Sequence, residues 1–261
     1  MTHSSDPAAR RLNHTGPFDA VICDIDGCLN DEHGSPLDLE PLSKIAAWNR
    51  RAESQRDRPI VVPCSGRPIS YVECIARHIA CTALPIIGEM GAWLFFPDTN
   101  RHELDPAITA DDLRAVTDLA AFGRDTLGSE GVTIQPGKAA SVTFWHADTA
   151  HLREAVAPRV ERLVAERGWP FRVSMTWFYI NCDLAHVSKA TGIDRFLRHT
   201  GLNPARIAGI GDTMSDLAIR ERVAWFGCPA NAAEGLKSHA DAVAETTEAH
   251  GVNELLSMLE G

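Results

Sequence analysis

Ala-Val-Ile-Cys-Asp-Ile-Asp-Gly-Cys-Leu, residues 20–29, decides the reading of this 261-residue chain. Its first four residues form an unbroken apolar run, short enough for a buried strand and too short for a helix. The strand delivers two carboxylates, Asp24 and Asp26, onto one loop, and Gly27 follows at once. Carboxylates so close repel unless a cation or a shared proton relieves them. A hard cation such as Mg²⁺ takes oxygen ligands, commonly one or two carboxylates with phosphate and water. One Asp can attack phosphorus while the other moves the proton. A strand-end turn built from Asp and Gly would explain the same residues without chemistry.

Three later segments tell against a plain turn. Ile-Val-Val-Pro-Cys-Ser-Gly-Arg-Pro (60–68) is a second apolar strand, ending at Ser65, Gly66 and Arg67. Lys189 opens a helical stretch after His186-Val187-Ser188. Arg-Ile-Ala-Gly-Ile-Gly-Asp-Thr-Met-Ser-Asp-Leu (206–217) is a third strand, ending in Asp212 and Asp216. Strands alternating with helices argue for a parallel sheet covered on both faces, and active sites of such sheets lie beyond the carboxyl ends of the strands. Asp24, Ser65 and Asp212 all fall there. The Ser65 hydroxyl can donate to a phosphoryl oxygen, helped by the N–H of Gly66. Asp216 lies one helical turn past Asp212, so both can face one site.

In this chain order the motifs resemble the haloacid dehalogenase superfamily of aspartate-nucleophile phosphotransferases, in its Cof-like, sugar-phosphatase branch. Gly88-Glu89-Met90-Gly91-Ala92, Asn231-Ala232 and His250-Gly251-Val252 fit the same patterns, and the resemblance spans residues 18–256. It implies an α/β fold: a Rossmann-like parallel-sheet core with a large α/β cap inserted between the second and third motifs. It implies Asp24 as nucleophile, giving an aspartyl-phosphate, and Asp26 as general acid and base. Mg²⁺ would be held by the side chains of Asp24 and Asp212 and the backbone carbonyl of Asp26. Lys189 would stabilise charge on the transferring phosphoryl group, and Asp216 would orient Lys189 or a metal-bound water. Arg67 would contact substrate or pair with a surface acid; Asn231 would line the site or build a turn. Cys28 departs from the usual Thr or Val, and Ser215 stands where the branch often has Asn.

The implied activity is Mg²⁺-dependent hydrolysis of a small phosphorylated metabolite, a sugar phosphate or a phosphorylated short acid. A phosphomutase shares the fold and the nucleophile. A non-enzymatic phospho-accepting module is a third reading, but it would need neither Asp26 nor an enclosing lid. The complete acid set argues against dehalogenase chemistry.

Composition is that of a globular protein, 44% hydrophobic and 23% charged. A net charge of −10 argues against a nucleic-acid partner. It does not exclude an anionic substrate, because a metal and a few local cations set the field in a site. The seven cysteines include no Cys-x-x-Cys pair, and their odd count and apolar neighbours suggest reduced thiols in a cytoplasm. No apolar run is long enough to span a bilayer, and Met1 to Gly16 lacks the apolar segment of a signal peptide. The expected partner is a small metabolite, with neither nucleic acid nor membrane, and the expected assembly is a monomer or homodimer.

Residues 1–90 read as the first part of the core, with strands at 18–23 and 59–63 and helices at 41–53 and 69–81. Residues 91–184 read as the lid, and 185–261 return to the core. Within the lid, Thr109 and Asp112 predict a capping box. Strands are expected at 141–146 and 171–180, the second with Phe171, Val173, Met175, Trp177 and Tyr179 on one face. Between them lies a helix over 150–167, in which Pro158 bears on either the start or the straightness. Trp145, His146, Trp177 and Tyr179 are candidates for substrate contact, with packing inside the lid as the competing role. Glu89 either reaches the substrate entrance or marks a bend.

Overall fold

The computed structural model describes residues 16–31, 35–176 and 178–260. The expectations for the N-terminal segment before Gly16 and for Trp177 lie outside the described residues.

Strand β1 (Ala20–Cys23) is wholly buried. A central parallel strand is covered on both faces, so it reads as a continuous apolar run rather than an alternation. Helix α1 (Leu39–Gln55) begins at Asp38, whose side chain accepts the Glu40 N–H at 3.1 Å. It buries Leu42, Ile45, Ala46 and Trp48, the set expected from spacing. The Trp48 indole donates to the Pro59 carbonyl at 2.7 Å, tying α1 to β2 (Ile60–Pro63). Helix α2 (Ile69–His78) packs on the same sheet. Strands β3 (Ile86–Gly88), β4 (Trp93–Phe96) and β5 (Arg101–Leu104) form a small antiparallel sheet.

Helix α3 (Ala110–Phe122) follows, opened by the expected capping box: Asp112 N–H donates to Thr109 Oγ1 at 3.2 Å, and Thr109 N–H to Asp112 Oδ2 at 2.7 Å. Strands β6 (Thr133–Ile134) and β7 (Ser141–Trp145) follow. Helix α4 (Thr149–His151) runs through a π-helical turn, Leu152–Val156, into α5 (Ala157–Arg167). Pro158 has no N–H and its ring crowds the carbonyl four residues back; the widened turn before it relieves both problems.

The single strand expected over 171–180 is instead a hairpin of β8 (Phe171–Met175) and β9 (Tyr179–Leu184). Met175 pairs with Ile180, and the Thr176 N–H donates to the Tyr179 carbonyl at 2.9 Å. The turn reverses the side-chain parity. Phe171, Val173 and Met175 share a face with Ile180, Cys182 and Leu184, and Tyr179 points to the other.

The chain then returns to the core. Helix α6 (Lys189–Thr200) is capped by Ser188 and ends at Gly201, whose φ of 67° suits a glycine. Strand β10 (Ile207–Ile210), helix α7 (Leu217–Arg220), strand β11 (Trp225–Cys228), helix α8 (Glu234–Lys237), strand β12 (Ala242–Val243) and helix α9 (Glu248–Met258) complete it.

The core sheet is parallel, in the order β12-β11-β10-β1-β2. The lid sheet is antiparallel, in the order β6-β7-β9-β8. Each domain buries its own apolar cluster. One gathers the parallel sheet and its helices, the other Val116, Leu119, Phe144, Leu152, Val160 and Ile180. Full burial of such side chains contributes about 1.5–3 kcal/mol each. Leu94 and Phe95 belong to the first cluster. Ala92 belongs to the second, and Trp93 and Leu104 pack against it, so the two clusters meet along β4 and β5.

Candidate active site

Parallel register sets Cys23 opposite Ile210 on one side and Pro63 on the other. The three strands end level, so Asp24, Ser65 and Asp212 emerge side by side where the connections diverge from β1. All three are buried. Lys189, at the start of α6, is 2% exposed. Its Nζ lies 2.7 Å from Asp24 Oδ2 and donates to Asp216 Oδ1 at 2.7 Å. The other Asp216 oxygen accepts the N–H groups of Asp212 at 3.0 Å and Thr213 at 3.1 Å. Asp216 thus fixes the ammonium and the Asp212 loop together.

Burial raises the Asp24 carboxyl to about 7; Asp216 and Asp26 push the same way, and Lys189 opposes them. Burial draws the Lys189 ammonium down, but Asp216 and Asp24 outweigh it and hold it well above its ordinary value. A carboxylate as strained as Asp24 is short of positive charge. Asp24, Asp212 and Asp216 bring ligand oxygens within 4.8 Å of one another. Three buried carboxylates, one of them short of cation, fit a hard ion such as Mg²⁺. Both Asp216 oxygens are already engaged, which suits it to support rather than direct ligation.

Gly27 closes this loop. Its φ is 76°, and a Cβ there would lie 2.0 Å from Asp212 Oδ2. Cys28 is fully buried, its thiol 3.9 Å from Asp212 Oδ1, so the departure at this position packs without intruding. Asn231 does not reach the cavity. Its amide donates to the Gly27 carbonyl at 2.8 Å, and its Oδ1 accepts the Glu248 N–H at 2.9 Å. Both ends of the amide are thus engaged in bracing the Gly27 loop and the start of α9.

Asp26 is clamped. Arg67 donates from Nε to Oδ2 at 2.8 Å and from Nη2 to Oδ1 at 2.7 Å. The Asp26 carboxylate holds the Arg67 guanidinium above its usual range. Ser65 Oγ accepts the Arg67 N–H at 3.1 Å, so the second motif is folded around its own hydroxyl.

A cavity of about 200 Å³ separates these residues from the underside of the lid. Asp24, Asp26, Ser65, Arg67 and Lys189 form its floor. Lys138, Thr143, Tyr179, Asn181 and Asp183 form its roof, while Val142, Phe144, Ile180 and Cys182 alternate onto the opposite, apolar face. Lys138 Nζ donates to Thr143 Oγ1 at 2.6 Å, and Thr143 Oγ1 to Asn181 Oδ1 at 3.0 Å. Ser215 and Thr213 also border the cavity, their hydroxyls 2.9 Å apart.

Of the aromatic lid candidates, Tyr179 lines the cavity. Trp145 is 36% exposed and lies outside the lining. His146 is spent inside the lid, accepting the Asp148 N–H at 2.9 Å and lying 3.1 Å from the Glu130 carbonyl. Glu89 sits in a bend with φ of 51°, followed by Met90 at 57° and Gly91 at 99°. It turns away from the entrance: its Oε1 accepts Ala139 N–H and Ala140 N–H at 2.8 Å each and the Ser141 hydroxyl at 3.0 Å. Glu89 therefore joins the core to the lid loop. Sequence reasoning missed Lys138, Asn181 and Asp183. The alternation in Ile-Asn-Cys-Asp (180–183) carries that signal once the hairpin is recognised.

A family model of haloacid dehalogenase-like hydrolases matches residues 135–256. The chain is 26% identical over 187 residues to a phosphoglycolate phosphatase of Methanoculleus marisnigri, covering 71% of this chain and 75% of that protein. It is 24% identical over 241 residues to a phosphoglycolate phosphatase of Methanopyrus kandleri, covering 92% and 96%. A Thermoplasma acidophilum structure superimposes with a TM-score of 0.70 at 18% identity, over 93% of this chain and 98% of that one. A HAD/Cof-like hydrolase from Plasmodium vivax gives 0.64 at 14% identity, over 95% and 98%. The match to haloacid dehalogenase-like hydrolases runs from the lid sheet through Lys189 and Asp212 into the last helix, and the fold is shared almost end to end with these solved structures.

Proposed function

We propose that this hydrolase is a Mg²⁺-dependent phosphatase of small phosphorylated metabolites, sugar phosphates or phosphorylated short acids, working in the cytoplasm. The observation that carries the reading is Asp24: a buried strand-end carboxylate, 2.7 Å from the Lys189 ammonium, facing a roofed polar cavity. Two relatives that carry the name phosphoglycolate phosphatase support it.

The phosphoryl group sits on the floor, where Ser65 Oγ and the Gly66 N–H donate to its oxygens and Lys189 balances its charge. Bound through Asp24, Asp212 and the Asp26 carbonyl, Mg²⁺ would offset the repulsion between carboxylates and a phosphoryl dianion. An Asp24 oxygen attacks phosphorus, the bond from phosphorus to the leaving oxygen breaks, and Asp26 gives that oxygen its proton. Asp26 then takes a proton from water, which attacks the phosphorus of the acyl phosphate, releases inorganic phosphate and regenerates Asp24. Arg67 borders the cavity, so an arriving anion competes with Asp26 for its guanidinium.

Asp26→Asn tests this division of labour. With an alkyl phosphate kcat should fall about 10²–10⁴-fold. With p-nitrophenyl phosphate, whose leaving group needs no proton, one equivalent of nitrophenolate should appear in a burst before turnover stalls. A uniform loss without burst or accumulated phosphoenzyme would remove Asp26 from the second step.

The metal is tested separately. EDTA should abolish turnover, Mg²⁺ should restore it, and Ca²⁺ should substitute poorly. Mg²⁺ at a hundred times its Kd should also stabilise the fold by about 2.7 kcal/mol, read as a rise in Tm. Undiminished turnover in metal-free buffer, or an unmoved Tm, would overturn the assignment. Equal yields of alcohol and inorganic phosphate separate a phosphatase from a phosphomutase, which returns the phosphoryl group to a sugar.

A further inference from the structure

The roof of the cavity holds a cation and an anion that do not meet. Lys138 spends one of its three N–H donors on Thr143 Oγ1, at 2.6 Å. Asp183 is 5% exposed and borders the same cavity. Its Oδ1 has no hydrogen-bond partner among the described residues. Its Oδ2 forms a long ion pair with Arg172 Nη2 at 3.9 Å, without a hydrogen bond. Lys138 and Asp183 attract each other through space, yet no ion pair joins them among the described residues. Burial lowers the Lys138 ammonium and raises the Asp183 carboxyl, only partly offset by their mutual attraction and, at Asp183, by Arg172.

Both residues border the cavity into which a leaving group would extend if the phosphoryl group occupies the floor at Asp24. A hydroxyl is donor and acceptor at once. It can donate to Asp183 and accept from Lys138, satisfying both. A carboxylate only accepts; it would suit Lys138 but meet like charge at Asp183. An alkyl chain satisfies neither. Thr143 and Asn181, paired side by side between them in the roof, add further polar neutral groups.

We infer that Lys138 and Asp183 together select the leaving group, binding a neutral hydroxylated one, a polyol or a sugar, and disfavouring one that ends in a carboxylate. The inference rests on the phosphatase reading and deepens it. It also divides this chain from its two named relatives, because phosphoglycolate ends in a carboxylate.

The test compares kcat/KM for three phosphomonoesters with Mg²⁺ present: glycerol 3-phosphate, propyl phosphate and 2-phosphoglycolate. The wild-type protein should prefer glycerol 3-phosphate to each of the others by about tenfold or more, since a site built to pair a hydroxyl leaves its own groups unpaired with an analogue. In Asp183→Asn the preference over phosphoglycolate should fall by about tenfold, because the like charge is gone. In Lys138→Met both glycerol 3-phosphate and phosphoglycolate should lose kcat/KM. Each preference is a ratio measured on one preparation, so a misfolded fraction cancels. A wild-type preference for phosphoglycolate, or a ratio unchanged within twofold in Asp183→Asn, would overturn the inference while leaving the phosphatase reading intact. Failure of the wild-type protein to hydrolyse any of the three would sink both.

Discussion

Asp24→Asn is expected to lower kcat by roughly 10⁴-fold or more, the scale seen when a covalent nucleophile is removed from an intact site. The amide is a poor nucleophile and gives no stable phosphoryl adduct. The fold should survive. Asp24 is buried at a cost that raises its carboxyl to about 7, so a neutral isostere relieves that cost. Lys189 keeps its contact with Asp216, at 2.7 Å. Circular dichroism and Tm in metal-free buffer should therefore match or exceed those of the wild-type protein. In the wild type, acid quenching during turnover should leave phosphate on the peptide holding residues 20–29, and beryllium fluoride should form its adduct on Asp24. Turnover within tenfold of wild type by a folded Asp24→Asn protein would contradict the covalent mechanism, as would an adduct on Asp26.

The floor of this site was legible because backbone register does the work. Asp24, Ser65 and Asp212 each follow a short apolar run, and parallel pairing brings the ends of such runs level. Lys189 was legible from its motif, but its double contact with Asp24 and Asp216 needed the fold. The roof was not legible, for a local reason. Thr176-Trp177-Phe178 contains none of the residues that usually mark a turn, so the reversal after Met175 read as continued strand. That single error moved Tyr179 onto the wrong face and hid Asn181 and Asp183. The Asp26–Arg67 clamp joins positions 41 residues apart, and nothing local distinguishes it from an arginine free to bind substrate. Asn231 reads as a polar loop residue in either role; its bond to the Gly27 carbonyl needed the fold.

Lys189→Met should cost both stability and activity, and the two losses should respond to Mg²⁺ in opposite ways. Methionine keeps the length of the side chain, so the change mainly deletes charge. Lys189 is 2% exposed, and its Nζ bridges Asp24 and a fully buried Asp216. Removing one partner from a buried charge cluster leaves the others uncompensated, typically a loss of about 3–5 kcal/mol. For a chain of this size that corresponds to a Tm drop of roughly 10 °C in metal-free buffer. With the ammonium gone, Asp24 and the neighbouring acids attract a divalent ion more strongly. Mg²⁺ should therefore raise the Tm of the variant by more than it raises that of the wild type. Activity should not follow. In the proposed reaction the ammonium would act on phosphoryl charge from the α6 side, and loss of such a group costs about 10²–10³-fold in kcat even when the metal is bound. A metal-free Tm unchanged from wild type would show that the cluster is not held by its charge. A kcat within tenfold at saturating Mg²⁺ would reduce Lys189 to a structural counter-ion, because a purely structural role predicts that the metal restores stability and turnover together.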